Sequence, residues 1–203
     1  MTDKDTTLPG YVALKDWMVK DQPVILQPAT SYVFPLTSSD ITEIRTLEAK
    51  FDQEQNCAGL AGPQIGLAKR VIVFAAPDDA KLKKWRPSLT QCMPKTIWIN
   101  PSYEGVGHEM QEEFEGCFSV EAVGAPVPRF QTIRYKACDI DGQEIIGTAV
   151  GFLARVIQHE IDHTNGILFV DRADPDKVLP IQVYRERHAQ ELAEKKAKEQ
   201  IDE

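Results

Sequence analysis

The feature that most restricts this fold is a predicted helix, from about Gly151 to Asn165, whose apolar side also carries two histidines. Phe152 and Val156 begin an apolar stripe that continues through His159 and His163 at the spacing of one helical turn. Leucine and isoleucine side chains border that stripe. A helix with this pattern is expected to lie in the core, so the strands of the chain have to pack around it.

The rest of the chain is predicted to form strands followed by helices, without alternating βα units. Val71–Ala75 and Thr96–Asn100 are predicted strands, and the lysine-rich stretch between them is predicted to be a solvated loop. The clearest local signal is Asp141-Gly142 between two β-prone runs, which predicts a tight hairpin whose two turn residues both have positive φ. We therefore expect a single-domain α+β fold, with antiparallel strands packed around the helix that carries the histidines.

Both ends of the chain are predicted to lie outside this body. Residues before about 30 contain three prolines and suit an extended N-terminal arm. A helix is expected from about Ser39 to Gln55, and a last, highly charged helix over about residues 177–203. A chain of 203 residues is expected to be one domain, residues 1–203, with its core at about residues 24–171.

Composition excludes several classes of function. The net charge of −8 gives the chain no general attraction for nucleic acid or for anionic lipid. No run approaches the ~18 apolar residues of a membrane span, and the N-terminus resembles neither a signal nor a transit peptide. The four cysteines are widely spaced, as in reduced thiols. These features predict a soluble, cytoplasmic protein without a nucleic-acid or membrane partner.

The segment from Gln158 to His163 has the spacing of a divalent-metal site. His159 and His163 are one turn apart, so both rings can reach the same ion. Glu160 follows the first histidine and can lean toward a water on that ion, as a general base must. The pattern also occurs by chance in helices whose histidines are solvated or packed. Here both histidines continue an apolar stripe and should face inward, where a metal is the simplest partner.

These residues leave the third protein ligand open. One group of zinc peptidases has a histidine where this chain has Phe169, so membership of that group is excluded. Glu186 lies at the downstream distance used by another peptidase group, although its surroundings are charged. Cys117 lies upstream in a glycine-containing bend between Phe114 and Val120, and a thiolate there would bind a divalent cation. Taken alone, Cys117 would be assigned to a small buried position.

Three segments, in order and at appropriate spacing, resemble the motifs of the peptide deformylases. They are Cys57–Gln64, Glu115–Ser119 and Gln158–His163. Val127–Arg129 and Gly166–Asp171 also look like the family, so the resemblance covers roughly Val24 to Asp171. One such motif would be modest evidence, whereas three in order are specific.

The resemblance implies that Cys117, His159 and His163 hold one divalent metal ion, with a water in the fourth position. Fe²⁺ is the expected native ion, and Zn²⁺, Ni²⁺ or Co²⁺ can substitute in the family. The water attacks a formyl carbonyl, while Glu160 takes its proton and later delivers it to the departing amine. Because Fe²⁺ and Zn²⁺ accept the same ligands, the residues alone do not fix the ion.

The resemblance also assigns the residues around a substrate. Gln64 and the backbone N–H of Phe118 face the formyl oxygen and stabilise the oxyanion, and Gly59 and Leu60 lie along the substrate peptide. The implied substrate is the N-formyl-methionine end of a newly made protein in a bacterial-type cytoplasm, and formate is released. The C-terminal helix could contact the ribosome, although its mixed charges favour a solvated helix.

Several positions depart from the family pattern, namely Cys57, Phe118, Gly124 and Thr164. Gly124 stands where many active bacterial members have an arginine that helps bind the substrate backbone. None of these changes removes a ligand or Glu160, so hydrolysis stays the leading hypothesis. Two other functions stay open: a metallopeptidase that uses Glu186 or another distal acid, and a family member that binds formylated peptides with little or no turnover.

Overall fold

The structure, a computed structural model, describes residues 8–187 and 189–190. Its α-helices are α1 Pro23–Leu26, α2 Ser38–Gln53, α3 Ala80–Trp85 and α4 Gly151–Thr164. Its strands are β1 Gly59–Ala61, β2 Val71–Ala76, β3 Met93–Gly105, β4 Met110–Cys117, β5 Val120–Phe130, β6 Thr132–Cys138, β7 Glu144–Val150 and β8 Leu179–Pro180. Single 3₁₀ turns cover Gly62–Ile65, Phe169–Asp171 and Pro175–Lys177, and residues 181–187 and 189–190 are helical.

Antiparallel pairing joins the described strands into two sheets. Five strands follow the order β1-β2-β3-β6-β7, and three follow the order β4-β5-β8. The α4 helix contacts strands of the five-stranded sheet and also β5 of the other sheet. The expected α+β fold, in which antiparallel strands pack around a central helix, is confirmed.

The burial of α4 follows from the apolar residues that surround its axis. Leu153, Ile157 and Ile161 are almost fully buried and share one cluster with Phe74 and Trp98 of the five-stranded sheet. Burying a side chain of this size contributes roughly 1.5–3 kcal/mol to stability, so the three buried side chains hold the helix firmly against the sheet. A rigid helix is what a metal site needs from its scaffold.

The β6–β7 hairpin is real, but its predicted tight turn is wrong. Cys138 pairs with Glu144, so the chain turns through residues 139–143 rather than through two residues. The side chain of Asp139 closes this wider loop by accepting hydrogen bonds from the backbone N–H groups of residues 141 and 143, at 2.9 and 2.8 Å. Of the two predicted turn residues, only Gly142 has a positive φ, of 81°.

The lysine-rich stretch after β2 also differs from its prediction, because it contains the short helix α3. The side chain of Asp79 accepts a hydrogen bond from the backbone N–H of Leu82 at 2.7 Å and so caps the start of the helix. Most of its side chains are exposed, as predicted for a solvated segment, but the backbone is helical rather than a loop.

The described N-terminal arm is largely extended and is tied to the body. Leu14 pairs with Val120, and α1 is its one helical turn in the described part of the arm. At the other end, the helix predicted from residue 177 begins only at residue 181, because β8 pairs with β5 first. Residue 188 and residues 191–203 of that prediction lie outside the described residues. Among the described helices, none has the length and apolar character needed to cross a membrane.

Candidate metal centre

Cys117 is the last residue of β4, next to the two-residue turn that leads into β5. Its Sγ atom lies 3.2 Å from Nε2 of His163, which in turn lies 3.2 Å from Nε2 of His159. The three predicted ligand atoms all lie within 4.8 Å of one another. Two different elements, β4 and α4, therefore bring them to one point.

This triangle of ligand atoms fits a divalent cation. A tetrahedral ion bound by nitrogen at about 2.1 Å and by sulfur at about 2.3 Å separates its ligands by roughly 3.4–3.6 Å. A thiol and two imidazole nitrogens that point at one another have too few protons to satisfy each other, whereas one cation satisfies all three. Across residues 8–187, 189 and 190, no second such group of His, Cys, Asp or Glu occurs, and Glu186 is not part of this one.

The two histidines are held differently. Nδ1 of His159 lies 2.8 Å from Oε2 of Glu115, so Nδ1–H donates to the carboxylate and Nε2 is left for an ion. Burial alone would lower the pKa of His159, but the thiol of Cys117 and the carboxylate of Glu115 outweigh burial and hold it well above its usual value, so an ion that binds Nε2 displaces a proton. Burial and the nearby charge of His159 hold the pKa of His163 well below its usual value, so this ring is neutral and ready to bind.

Glu115 is the centre of a buried ion network behind His159. Arg129 donates to it from Nε at 2.9 Å and from Nη2 at 2.8 Å, and Arg155 donates from Nη1 at 2.8 Å. Burial would raise the pKa of Glu115, but the charge of Arg129 and its hydrogen bonds, with that of His159, hold the pKa well below its usual value. Glu115 is therefore an anion that fixes the orientation of the His159 ring.

Asp162, about one turn after His159 on α4, extends the same network. Nη1 of Arg129 donates to Oδ2 of Asp162, and Arg172 donates to both carboxylate oxygens, at 2.5 and 2.7 Å. Asp162 and Arg129 are 1% and 2% exposed, so these charges have been removed from water almost completely. Such a chain of paired charges couples α4 to β5 and to the segment after the helix.

Glu160 lies on the opposite side of the metal cradle, which is the group formed by Cys117, His159 and His163. Its side chain lines a cavity there. It is buried, and its Oε2 atom has no hydrogen-bond partner among the described residues. Burial raises the pKa of Glu160 to about 7, and a cation in the cradle would lower it again. Gly59 lies directly against this carboxylate, since a Cβ atom added to Gly59 would stand 2.5 Å from Oε1.

Gln64 is held with its amide nitrogen toward the cradle. Its Oε1 accepts a hydrogen bond from the backbone N–H of Ala61 at 2.8 Å, and Nε2 donates to Sγ of Cys117 at 3.4 Å. The first bond fixes which end of the amide faces the cysteine. Gln64 is 1% exposed, so this donor is preorganised in a dry environment.

The cradle opens into a cavity of about 170 Å³ that is lined by Gly59, Gln64, Cys117, Phe118, His159 and Glu160, among others. Phe118 is 38% exposed and stacks on Tyr11 of the N-terminal arm, with ring centroids 4.7 Å apart. The side chain of Leu60, by contrast, is fully buried in a cluster with Ile44. Only the backbone of Leu60 is therefore available to a bound peptide.

Sequence reasoning missed two arginines at this site. Arg155 was visible only as a charge that interrupts an apolar run, and Arg86 was visible only as part of the predicted loop. Both line the cavity in the structure. Gly124 stands where many family members have a substrate-binding arginine. It lies against the ring of Phe114, so an added Cβ atom would stand 2.0 Å from that ring.

Comparison with known proteins supports one family. The family model of polypeptide deformylases matches residues 15–178. Peptide deformylase 2 of Rickettsia conorii is 48% identical to this chain over 198 residues, which are 97% of this chain and 98% of the relative.

Solved structures give the same result. Class I type b peptide deformylase from Acinetobacter baumannii, crystallised with Met-Ala-Ser bound, superposes with a TM-score of 0.67 at 26% identity, over 82% of this chain and all of that one. A peptide deformylase from Synechococcus elongatus, in complex with actinonin, superposes with a TM-score of 0.63 at 30% identity, over 85% and 83% of the two chains.

Proposed function

The chain belongs to the peptide deformylase family, whose known function is the metal-dependent removal of N-formyl groups, and we propose which of its residues perform that reaction. The observation that carries the proposal is the convergence of Cys117, His159 and His163 beside the buried carboxylate of Glu160. The formyl group of a formyl-methionyl peptide would lie in the cavity next to these residues.

Cys117, His159 and His163 would hold one divalent cation per chain. When bound there, the cation supplies a water molecule of lowered pKa and a positive charge beside the formyl oxygen. We assign Fe²⁺ as the native ion, as in the family, with Zn²⁺, Ni²⁺ or Co²⁺ as substitutes for the same ligands. Glu115 supports the site by holding His159 in the tautomer that leaves Nε2 free.

Glu160 would move the proton. Its Oε2 atom has no partner within the described residues and is therefore available to accept a proton from the attacking water. The same carboxyl group then delivers that proton to the nitrogen that leaves, since the amine product must be protonated. The absence of a side chain at Gly59 leaves the space that Glu160 occupies.

Gln64 and the backbone N–H of Phe118 would stabilise the oxyanion that forms on the formyl carbon. The amide of Gln64 already faces Cys117, and Phe118 lies in the turn directly after that residue. Loss of one such donor typically costs about 10²–10³ in rate, because the charge develops in a site that excludes water.

The substrate peptide would extend along β1. Within the described strands β1 is the edge of the five-stranded sheet, so its outer side can pair with an added peptide. Gly59 and the backbone of Leu60 would make these contacts. Met-Ala-Ser, the peptide bound to the Acinetobacter relative, is what remains after deformylation of formyl-Met-Ala-Ser, and we propose that this chain takes peptides of the same kind.

The remaining parts of the proposal concern the domain, its cellular location and its contact with the ribosome. We propose one catalytic domain with its core at about residues 24–171, acting on nascent chains in a bacterial-type cytoplasm. Contact of the C-terminal helix with the ribosome stays a prediction, and mixed charges in that helix make electrostatic attraction to RNA weak.

The experiment that tests this function is formate release from formyl-Met-Ala-Ser under anaerobic conditions. Glu160→Gln keeps the size of the side chain but cannot accept the proton, so the rate should fall by about 10²–10⁴. Metal content and the free energy of unfolding should stay close to those of the wild type. Equal rates in both folded, metal-loaded proteins would refute the role of Glu160.

A second variant separates the alternatives. Cys117→Ala should lose the bound metal, whereas a metallopeptidase that uses Glu186 or another acid as third ligand would keep it. A protein that only binds formylated peptides would show peptide binding by calorimetry and no formate release in the wild type. Metal content of Cys117→Ala therefore tests the third ligand, and formate release by the wild type tests turnover.

A further inference from the structure

The cavity next to the cradle continues along α4. His159, Val156 and Phe152 line it from one turn of the helix to the next. From His159 to Phe152 the helix rises by about 10 Å, at 1.5 Å per residue. A peptide with its formyl group beside His159 would have room for its first side chain in this part of the cavity, which Val156 and Phe152 line.

Two arginines, Arg86 and Arg155, line this cavity together with the rings of Phe114 and Phe152. Arg155 lines the cavity but already donates to Glu115 and to the backbone carbonyls of Gln111 and Val127, at 2.8, 2.5 and 2.8 Å. It is 4% exposed. Arg155 is therefore committed to the structure and has little to offer a ligand.

Arg86 differs from Arg155 in this respect. Its guanidinium lies over the ring of Phe152, 5.3 Å from the centroid, and Nη1 donates to the backbone carbonyl of Phe114 at 3.1 Å. Nη1 is also the atom nearest to the carboxylate of Glu113, at 3.9 Å. For the residues that the structure describes, Nε and Nη2 have no hydrogen-bond partner, and the side chain is 27% exposed.

We propose that Arg86 determines specificity by donating a hydrogen bond to an oxygen at the end of the first side chain of the substrate. This inference rests on the proposed function, because it places the formyl group at the cradle. The thioether of methionine is only a weak acceptor, whereas the oxygen of methionine sulfoxide is a strong one. The substrate class is therefore N-formyl peptides whose first residue is methionine sulfoxide, in addition to methionine.

The charges around Arg86 favour a neutral oxygen over a carboxylate. Glu113 lies near the guanidinium, so a second carboxylate would meet repulsion at the same place. The reaction itself is unchanged: the formyl C–N bond is hydrolysed, and the sulfoxide leaves as it entered. No oxidant or reductant is required.

The test compares three substrates within each protein, namely formyl-Met(O)-Ala-Ser, formyl-norleucyl-Ala-Ser and formyl-Glu-Ala-Ser. Norleucine has the length of methionine without an acceptor. In the wild type, kcat/KM for the sulfoxide should exceed kcat/KM for the glutamate. In Arg86→Met, the sulfoxide-to-norleucine ratio should fall about ten-fold, the size expected for loss of one hydrogen bond to a charged group. Arg86→Lys should recover part of that ratio.

Taking a ratio within one protein cancels any general loss of folded or metal-loaded enzyme. Arg134→Met is the matched control, because Arg134 is exposed and pairs with Glu104 on β3, away from the cavity. Calorimetric binding of the product Met(O)-Ala-Ser, against norleucyl-Ala-Ser, provides a second readout and should show the same loss in Arg86→Met.

The outcomes separate this inference from the proposed function. If all substrates are cleaved and the sulfoxide-to-norleucine ratio of kcat/KM does not change in Arg86→Met, Arg86 does not bind the first side chain and the inference is wrong. A wild-type preference for glutamate overturns the choice of a neutral oxygen. If the wild type cleaves no formyl peptide at all, the proposed function itself fails and this inference fails with it.

Discussion

The two sides of the metal cradle are built in opposite ways. Behind it, Glu115, Arg129 and Asp162 are almost fully buried, and each takes part in at least three hydrogen bonds. In front of it, Glu160 keeps a carboxylate oxygen that has no partner within the described part of the chain, and Gly59 has no side chain at all. The metal cradle therefore lies between a saturated network and a carboxylate oxygen that has no partner among residues 8–187, 189 and 190.

This difference shows how one helix can be both rigid and reactive. Burying a charge costs several kcal/mol, and only a full set of partners offsets that cost, so the network behind the cradle fixes α4 in one position. Groups left without partners are costly too, but they are the ones that a substrate can engage. We expect changes behind the cradle to alter stability first, and changes in front of it to alter catalysis first.

The largest effect on stability should come from Arg129→Met. Methionine fills a similar volume but leaves Glu115 and Asp162 buried with fewer cationic partners. Breaking a buried pair in this way typically destabilises by about 3–5 kcal/mol. Urea unfolding monitored by circular dichroism measures the change.

Arg134→Met is the control for that experiment. Arg134 pairs with Glu104 at 2.9 Å, but the two side chains are 62% and 65% exposed, so the loss should stay below about 1 kcal/mol. If both arginine variants lose the same free energy of unfolding, the network behind the cradle is not what stabilises this fold.

Gly59→Ala should have the next largest effect, and on catalysis rather than on stability. Its new Cβ would stand 2.5 Å from Oε1 of Glu160, and the flexible end of that side chain would move away. A base displaced by about 1 Å can cost on the order of 10²-fold in kcat/KM. The free energy of unfolding should fall by no more than about 1–3 kcal/mol, as for other overpacked sites.

Gly10→Ala tests whether the effect comes from position rather than from glycine itself. A Cβ at Gly10 would meet nothing within 4 Å, so both kcat/KM and stability should match the wild type. Full activity in Gly59→Ala would mean that Glu160 has room to move without consequence, and its role as the base would have to be reconsidered.

Local patterns predicted α4 well, because everything they need lies within one helix. The apolar spacing gave the helix and its inward face, and Gly166, with a φ of 74°, ends it as predicted. The cap and the buried stripe are short-range features. They are present in the sequence itself, as is the spacing of His159 and His163.

The place of Arg155 in the network behind the cradle could not be predicted in the same way. Arg155 looks like an interruption of an apolar run, because the carboxylate that accepts from it, Glu115, lies on β4 and is distant in sequence. Pairing of that kind is decided by how strands and helix meet, and no local pattern encodes it. The width of the β6–β7 turn was missed for a different, local reason: Asp139, a residue of the turn itself, accepts two backbone N–H groups and closes a wider loop.

The smallest effect on kcat/KM should come from a change in the N-terminal arm. This arm lies outside the three motifs but contacts the cavity side of the metal cradle. The backbone N–H of Val12 donates to the carbonyl of Gln64 at 2.8 Å, and that of Leu14 donates to the carbonyl of Ser119 at 2.9 Å. Between these two loops, Tyr11 stacks on Phe118 with ring planes only 4° apart. The arm therefore touches both groups that we assign to the oxyanion.

Tyr11→Leu removes the stacked ring and keeps an apolar side chain. Such a stack is worth about 0.5–1.5 kcal/mol, so kcat/KM should fall roughly two- to ten-fold while metal content stays unchanged. Tyr11→Phe keeps the ring and should retain the wild-type rate. If Tyr11→Leu lowers stability but not kcat/KM, the arm only covers the body, and the front of the cradle is positioned by α4 and β4 alone.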